Sequence, residues 1–235
     1  MIDIQKLASE VYKMLEQVAD LEYKEWAKRN YPTAMQVLGA KVPELRKVVK
    51  EVSMKLREAS AQETIEMAKA LVASGVFECQ QVAYESLSLH KAAMKSLRTA
   101  DLVELGHGLD NWLSVDAFAT LVAGPAWRDR LIPDKLIEHW ANSENRWWRR
   151  VAVVCTVALN QKARGGIGDA TRTINICGMV ASDQDEMVAK ALSWALRELV
   201  KREPEPVVAF IEKHEAVLPA RVKREVCSKI KTGRK

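Results

Sequence analysis

The chain is poor in turn formers: ten of its 235 residues are glycine and seven are proline, together about 7%. Ordinary usage is roughly 12%. A β-sandwich or β-barrel needs a turn rich in these residues about every 8–12 positions, so all-β architectures are excluded. Long apolar runs are also missing. The longest, Val151 to Leu159, is interrupted by Thr156 and falls far short of the ~20 residues that span a bilayer, so no membrane partner is expected. The first residues, Met1 to Lys6, show no basic-then-apolar leader pattern. Cysteine is scarce: Cys79, Cys155, Cys177 and Cys227 stand alone, without C-x-x-C spacing. That fits reduced thiols in a cytoplasmic protein better than a disulfide framework. His90, His107, His139 and His214 are scattered, with no spacing that would hold a metal, so neither metal nor cofactor is expected.

What is present is helical periodicity. Charged residues make up 29% and hydrophobic ones 48%, an ordinary globular balance. Apolar spacing and capping residues predict helices over 3–18, 20–29, 43–58, 61–74, 77–89, 100–106, 110–123, 133–142, 145–160, 168–181, 185–202, 204–214 and 219–231. Pro43, Pro133, Pro204 and Pro219 open helices, Asp110 and Asp185 are candidate N-caps, and Gly39, Gly75 and Gly124 fall at helix ends. The segment Gly165-Gly166-Ile167-Gly168 follows no strand and lacks phosphate-loop spacing, so it reads as a linker. From residue 133 the helices come in pairs of about 30–40 residues. A pair of that size must stack on its neighbours to bury its apolar face. The expected fold is all-α: an α-solenoid of HEAT-like helix pairs with a concave basic face, as a single domain over 1–235.

Charge is unevenly distributed. Residues 1–117 hold fifteen Lys and Arg against seventeen Asp and Glu; residues 118–235 hold twenty-one against fourteen. A polyanion would therefore meet the second half, and nucleic acid is the default candidate. Aligning the second helix of each pair puts Arg150, Lys190 and Lys223 in one column, which suits a phosphate backbone. In helix 185–202 the strip Val188, Leu192, Ala195 and Leu199 reads as core, and the opposite strip is Lys190, Trp194, Arg197 and Lys201. Six of the seven tryptophans lie between 112 and 194. Trp112 and Asp116 stand one helical turn apart, beside a core face of Val115, Phe118 and Val122. Trp148 continues the core strip Ala152, Cys155 and Leu159, leaving Trp147 as the surface residue.

Four segments together resemble the AlkD-type alkylpurine DNA glycosylases: Trp112-Leu113-Ser114-Val115-Asp116, Asn145-Arg146-Trp147-Trp148-Arg149-Arg150, Lys190-Ala191-Leu192-Ser193-Trp194-Ala195-Leu196-Arg197-Glu198, and Leu38-Gly39-Ala40-Lys41-Val42-Pro43-Glu44-Leu45-Arg46. The resemblance spans roughly residues 20–230 with the motifs in order. It implies a monofunctional glycosylase acting as a monomer on double-stranded DNA with alkylated bases, releasing N3- or N7-alkylated purines. By that resemblance Asp116, Trp112 and Trp194 are catalytic. Arg150 holds the backbone, and Lys190, Arg197, Lys223, Arg149 and Trp147 join it as DNA contacts. Asn111 stands where the family often has an aromatic residue, and Trp26 and Tyr31 both lie near the place of its N-terminal tyrosine.

The chemistry matches such a site. An N3- or N7-alkylated purine already carries positive charge and leaves without a general acid. The transition state then develops an oxocarbenium-like cation on the deoxyribose. One carboxylate against the sugar stabilises that cation and orients water, and indole faces attract cationic sugar and base. Two other functions fit the composition: a non-catalytic HEAT-like protein that binds distorted duplexes, and a protein–protein scaffold.

Overall fold

The computed structural model describes residues 2–233. It is all-α: no strand occurs among the described residues, and extended pairing is confined to isolated bridges, Ala19 with Ala40 and Gln36 with Val76. Contacts divide the chain into two compact units, the first running to Val122 and the second starting at Ala123.

The first unit contains α1 (Ile4–Gln17), α2 (Leu21–Asn30), α3 (Val42–Lys55), α4 (Ala61–Ala73), α5 (Phe77–Leu89), α6 (Lys91–Ser96), α7 (Thr99–Leu105) and α8 (Trp112–Phe118). Side-chain caps set most of the starts. The Asp3 and Asp20 carboxylates accept the N–H groups of Lys6 and Tyr23, and Ser60 with Glu63 closes a reciprocal capping box on α4. Helix α5 is the hub, packed against α3, α4 and α8. Its Val82, Ala83, Tyr84 and Leu87 are fully buried, and Glu78, Gln80, Gln81 and Ser86 are buried with them, so it is covered nearly all round and its polar groups must find partners inside the fold. Glu78, also buried, accepts the N–H groups of Leu38 and Gly39 at 2.9 and 2.6 Å. This closes the loop in front of α3.

Two expectations change at the end of this unit. The predicted helix 110–123 stays helical but changes its winding: α8 ends at Phe118, a π-type turn covers Ala119–Ala123, and α9 (Gly124–Arg128) follows directly. Pro125 explains the widened turn, because it has no N–H to donate to an earlier carbonyl and its ring crowds the preceding turn. Gly124 therefore begins α9 rather than ending a helix. Asp110 is not the cap of α8; its carboxylate accepts the Thr33 hydroxyl and the Ala34 N–H at 2.6 and 2.5 Å. The capping role falls to Asn111.

The second unit continues with α10 (Asp134–Ala141), α11 (Arg146–Asn160), a 3-10 turn (Lys162–Arg164), α12 (Ala170–Met179), α13 (Glu186–Val200), α14 (Pro204–His214) and α15 (Ala220–Thr232). The pairing is as expected. Helices α11, α13 and α15 pack side by side in one layer, and α10, α12 and α14 form the other. In the middle of the layer, α13 buries Val188, Leu192, Ala195 and Leu199 completely, while on the opposite strip Lys201 is exposed and Lys190, Trp194 and Arg197 are partly covered. Asp185 caps it, accepting N–H groups from Met187 and Val188.

Candidate functional site

In the first unit, α8 is fixed at its start by a small polar core. Asn111, 1% exposed, accepts the Ser114 N–H at 3.0 Å and donates to the Ser114 hydroxyl at 3.2 Å. Gln81 of α5 donates to the same hydroxyl at 2.9 Å. The position next to Trp112 therefore needs a short side chain with both an acceptor and a donor, which accounts for asparagine where an aromatic residue is common in the resembled family.

That anchor sets Trp112 against the C-terminal end of α2. Its indole N–H donates to the Asn30 carbonyl at 3.2 Å, and the ring meets Tyr31 edge-on at 5.2 Å. Tyr31 stacks on Phe77 at 5.8 Å, and Trp26 lies edge-on to the other side of Tyr31 at 5.5 Å. Tyr23 stacks on Trp26 at 5.3 Å. Edge-to-face and offset pairs at these separations are attractive. Burial pushes the Tyr31 and Tyr23 hydroxyls above the usual phenol range, so both rings stay neutral at physiological pH. Of the two N-terminal aromatics named from sequence, Tyr31 touches Trp112, and Trp26 stands behind it, 41% exposed. Sequence spacing could not separate them, because the choice depends on how the 31–41 loop folds back over α5. Asp116 is half-buried on α8, one turn beyond Trp112, and its backbone carbonyl accepts the Thr120 hydroxyl at 2.6 Å. Together these residues form a partly exposed aromatic cluster, and the helix that carries Trp112 also carries the Asp116 carboxylate.

In the second unit the basic residues are less free than their spacing implied. Arg150 is 5% exposed and donates to the Met187 carbonyl at the start of α13, so it clasps α11 to α13. Arg149 pairs with Asp183 at 2.6 Å and donates to the carbonyls of Ser143 and Glu144 at 2.9 and 2.8 Å. It thereby ties two interhelix turns together. Arg197 is held by Glu225 of α15 and the Ser193 hydroxyl. Burial pushes the Glu225 carboxyl up, but the hydrogen bond from Ser193 and the charges of Arg197 and Arg221 together outweigh it and hold the group below the ordinary range. Lys190 pairs with Glu186 at 2.8 Å across one turn, and Lys223 reaches the Glu215 carbonyl at 3.1 Å. Both of these lysines are half-exposed, and the Lys190–Glu186 pair, near the surface, is a weak one. Trp194 borders a hollow of about 360 Å³ with Arg197, Glu198, Lys201 and Lys229. Lys201 belongs to the basic strip read from the sequence, whereas Lys229 was missed because its place in this hollow depends on how α13 packs on α15. Trp147 is half-buried under the Arg146 guanidinium, 4.8 Å from the ring centroid. Trp148 packs on Trp140 at 4.8 Å, yet it is half-buried like Trp147, so the expected division into one core and one surface tryptophan is not seen.

Among the described residues no group of three or more His, Cys, Asp or Glu is arranged to hold a metal ion, and no helix is long and apolar enough to cross a membrane.

Comparison with known proteins bears on this arrangement. The structure is similar to that of a protein from Enterococcus faecalis described as a predicted DNA alkylation repair enzyme, with a TM-score of 0.68 and 19% identity over 93% of this chain and 96% of that one. No curated protein matches the sequence. The family model for DNA alkylation repair enzymes matches residues 11–230, nearly the whole of both units, and the chain belongs to that family of enzymes that repair alkylated DNA.

Proposed function

We propose that the protein is a DNA glycosylase that releases N3- and N7-alkylated purines from duplex DNA by hydrolysis of the glycosidic bond. The observation that carries this reading is the pairing on α8 of a half-buried carboxylate, Asp116, with Trp112, one turn away and braced against Tyr31. In this scheme the carboxylate faces the deoxyribose as the C–N bond breaks. The departing base takes the bonding electron pair, and its positive charge is thereby neutralised. The sugar becomes an oxocarbenium-like cation, and Asp116 stabilises that cation and orients the water that attacks it. The electron-rich face of Trp112 adds to the attraction for cationic base and sugar. Trp194, Lys190, Arg197 and Lys223 are the second unit's proposed contacts to DNA, and Trp147 its further aromatic contact. Arg150 and Arg149, held within the fold, position α13 and the interhelix turns that present them.

A neutral lesion would need its leaving base protonated, and the sequence around Asp116 supplies no second acid, so activity is expected on cationic adducts and little on uncharged ones. The test is release of methylated base from N-methylpurine duplex DNA. Asp116→Asn is expected to lose on the order of 10²–10³ in rate while duplex affinity is retained. Undiminished release by that variant would overturn the assignment of Asp116. Affinity that ignores salt would overturn the DNA reading, because phosphate contacts make binding fall steeply with ionic strength. Binding without any base release would leave a non-catalytic reader of damaged duplexes.

A further inference from the structure

The glycine-rich segment that sequence marked as a mere linker is an ordered loop, and it displays one large apolar side chain. Ile167 is 87% exposed, more than any other large hydrophobic residue described. A lone exposed isoleucine means little by itself. Here, however, the backbone around it is pinned on every side. The N–H groups of Gly165, Gly166 and Gly168 donate to the carbonyls of Lys162, Gln161 and Leu159, each at 3.0 Å. Arg202, just past α13, donates to the carbonyls of Gly166 and Asn160 at 2.8 and 2.9 Å, and Arg128 donates to that of Arg164.

The glycines are required by this geometry. Gly165 and Gly168 have φ of +81° and +104°, and a Cβ on Gly166 would lie 2.7 Å from the backbone of Leu159. The loop thus holds Ile167 out in water at a fixed place, with its ordering entropy already lost in the free protein.

The charges around it specify the partner. Lys162 and Arg164 are exposed, within five residues of Ile167, and make no ion pair among the described residues. Arg128 and Arg202 lie against the same loop, and exposed Lys201, at the end of the basic strip of α13, directly precedes Arg202. The nearby acids are engaged: Asp169 with Arg172, Asp129 with Arg128, and Glu203 with the Ala170 N–H.

We infer that this loop is a wedge for duplex DNA: Ile167 enters the minor groove and parts a base step, while Lys162 and Arg164 take the flanking phosphates. Apolar wedges flanked by cations are one physical solution for prising open stacked bases, and a rigid loop lets the unstacking cost be offset by contact rather than by loop ordering. A membrane would call for a broader apolar face than one isoleucine. The inference rests on the DNA-binding part of the proposed function and not on the hydrolytic step.

The experiment uses the full chain carrying Asp116→Asn, so that no base is lost, and an undamaged duplex containing 2-aminopurine as a reporter of unstacking. Binding is expected to raise the reporter's fluorescence. Ile167→Ser should remove that rise and weaken affinity about tenfold, with the salt slope unchanged; Ile167→Met should restore both. The double variant Lys162→Ala/Arg164→Ala should instead lower the salt slope by about two contacts' worth, near 0.9 per contact. Because the side chain lies in solvent, the melting temperature of Ile167→Ser should match the parent. Unchanged fluorescence and affinity in Ile167→Ser overturn the wedge while leaving the glycosylase reading intact. Loss of anionic-vesicle binding in Ile167→Ser, with DNA binding unaltered, also overturns it. A parent chain that binds no duplex refutes the function on which the wedge depends.

Discussion

Replacing Asn111 with alanine removes three hydrogen bonds at one spot: the cap on the Ser114 N–H, the bond to the Ser114 hydroxyl and the bond to the Asp110 carboxylate. Loss of an N-cap costs about 1 kcal/mol. The asparagine is 1% exposed, so water cannot readily replace it, and the orphaned N–H adds a desolvation cost of about 1–2 kcal/mol. Ser114 keeps its bond from Gln81, which limits the damage. The sum is about 2–3 kcal/mol. For a chain of this size about 1 kcal/mol corresponds to a shift of roughly 2–4 °C, so scanning calorimetry should show melting lowered by about 4–12 °C. Asn111→Ser, which keeps a capping oxygen, should recover at least half. The second readout is catalytic. Helix α8 carries Trp112 and Asp116, so base release per folded molecule should fall with the alanine variant below its unfolding range. A variant with parental melting and parental base release would show that the cap neither stabilises α8 nor positions its side chains.

Three other outcomes follow from the same structure. The Glu63 carboxyl is held down at about 2, chiefly by the Ser60 N–H that it accepts in the capping box. A depressed folded-state value stabilises above the ordinary 4.5 and is lost as pH falls from there through about 2, so Glu63→Gln should flatten the melting-temperature profile in that window and leave it unchanged in shape above it. Arg149→Met leaves Asp183 without its cation, though still accepting the Asp185 N–H, and two carbonyls without their donor, which should cost about 2–4 kcal/mol by urea unfolding. If Arg149 acts only as a tie, the salt slope of DNA affinity will not move. Cys79, Cys155 and Cys177 are buried, with burial pushing Cys79 up to about 12 and the other two higher still. A colourimetric thiol reagent should therefore titrate Cys227 alone in the native protein and all four after denaturation.

The pattern of apolar residues carried most of the helix order, because a helix face repeats every 3.6 residues whatever it packs against. Helix α14 occupies the predicted 204–214, and Asp185 caps α13 as read. The failures share one cause. Helix α6 has only six residues, too short for a period to show, and the widened turn at Ala119–Ala123 depends on the accommodation of Pro125. Asp110 and Asn111 are both good caps by chemistry, and the choice between them was made by Thr33, a residue 77 positions away.

Composition and periodicity by themselves determined that this is an all-helical chain with a basic second half, with Trp112 and Asp116 on one helical face, since these follow from residue type and spacing alone. Tertiary packing decided which charges are available. Arg149, Arg150 and Arg197 look like solvated cations in one dimension, yet Asp183, the Met187 carbonyl and Glu225 engage them, because a guanidinium partly or wholly out of water must find acceptors. Packing also made Tyr31 the partner of Trp112 and gave the glycine linker its fixed shape. These outcomes depend on contacts between residues far apart in the chain, and no local spacing encodes them.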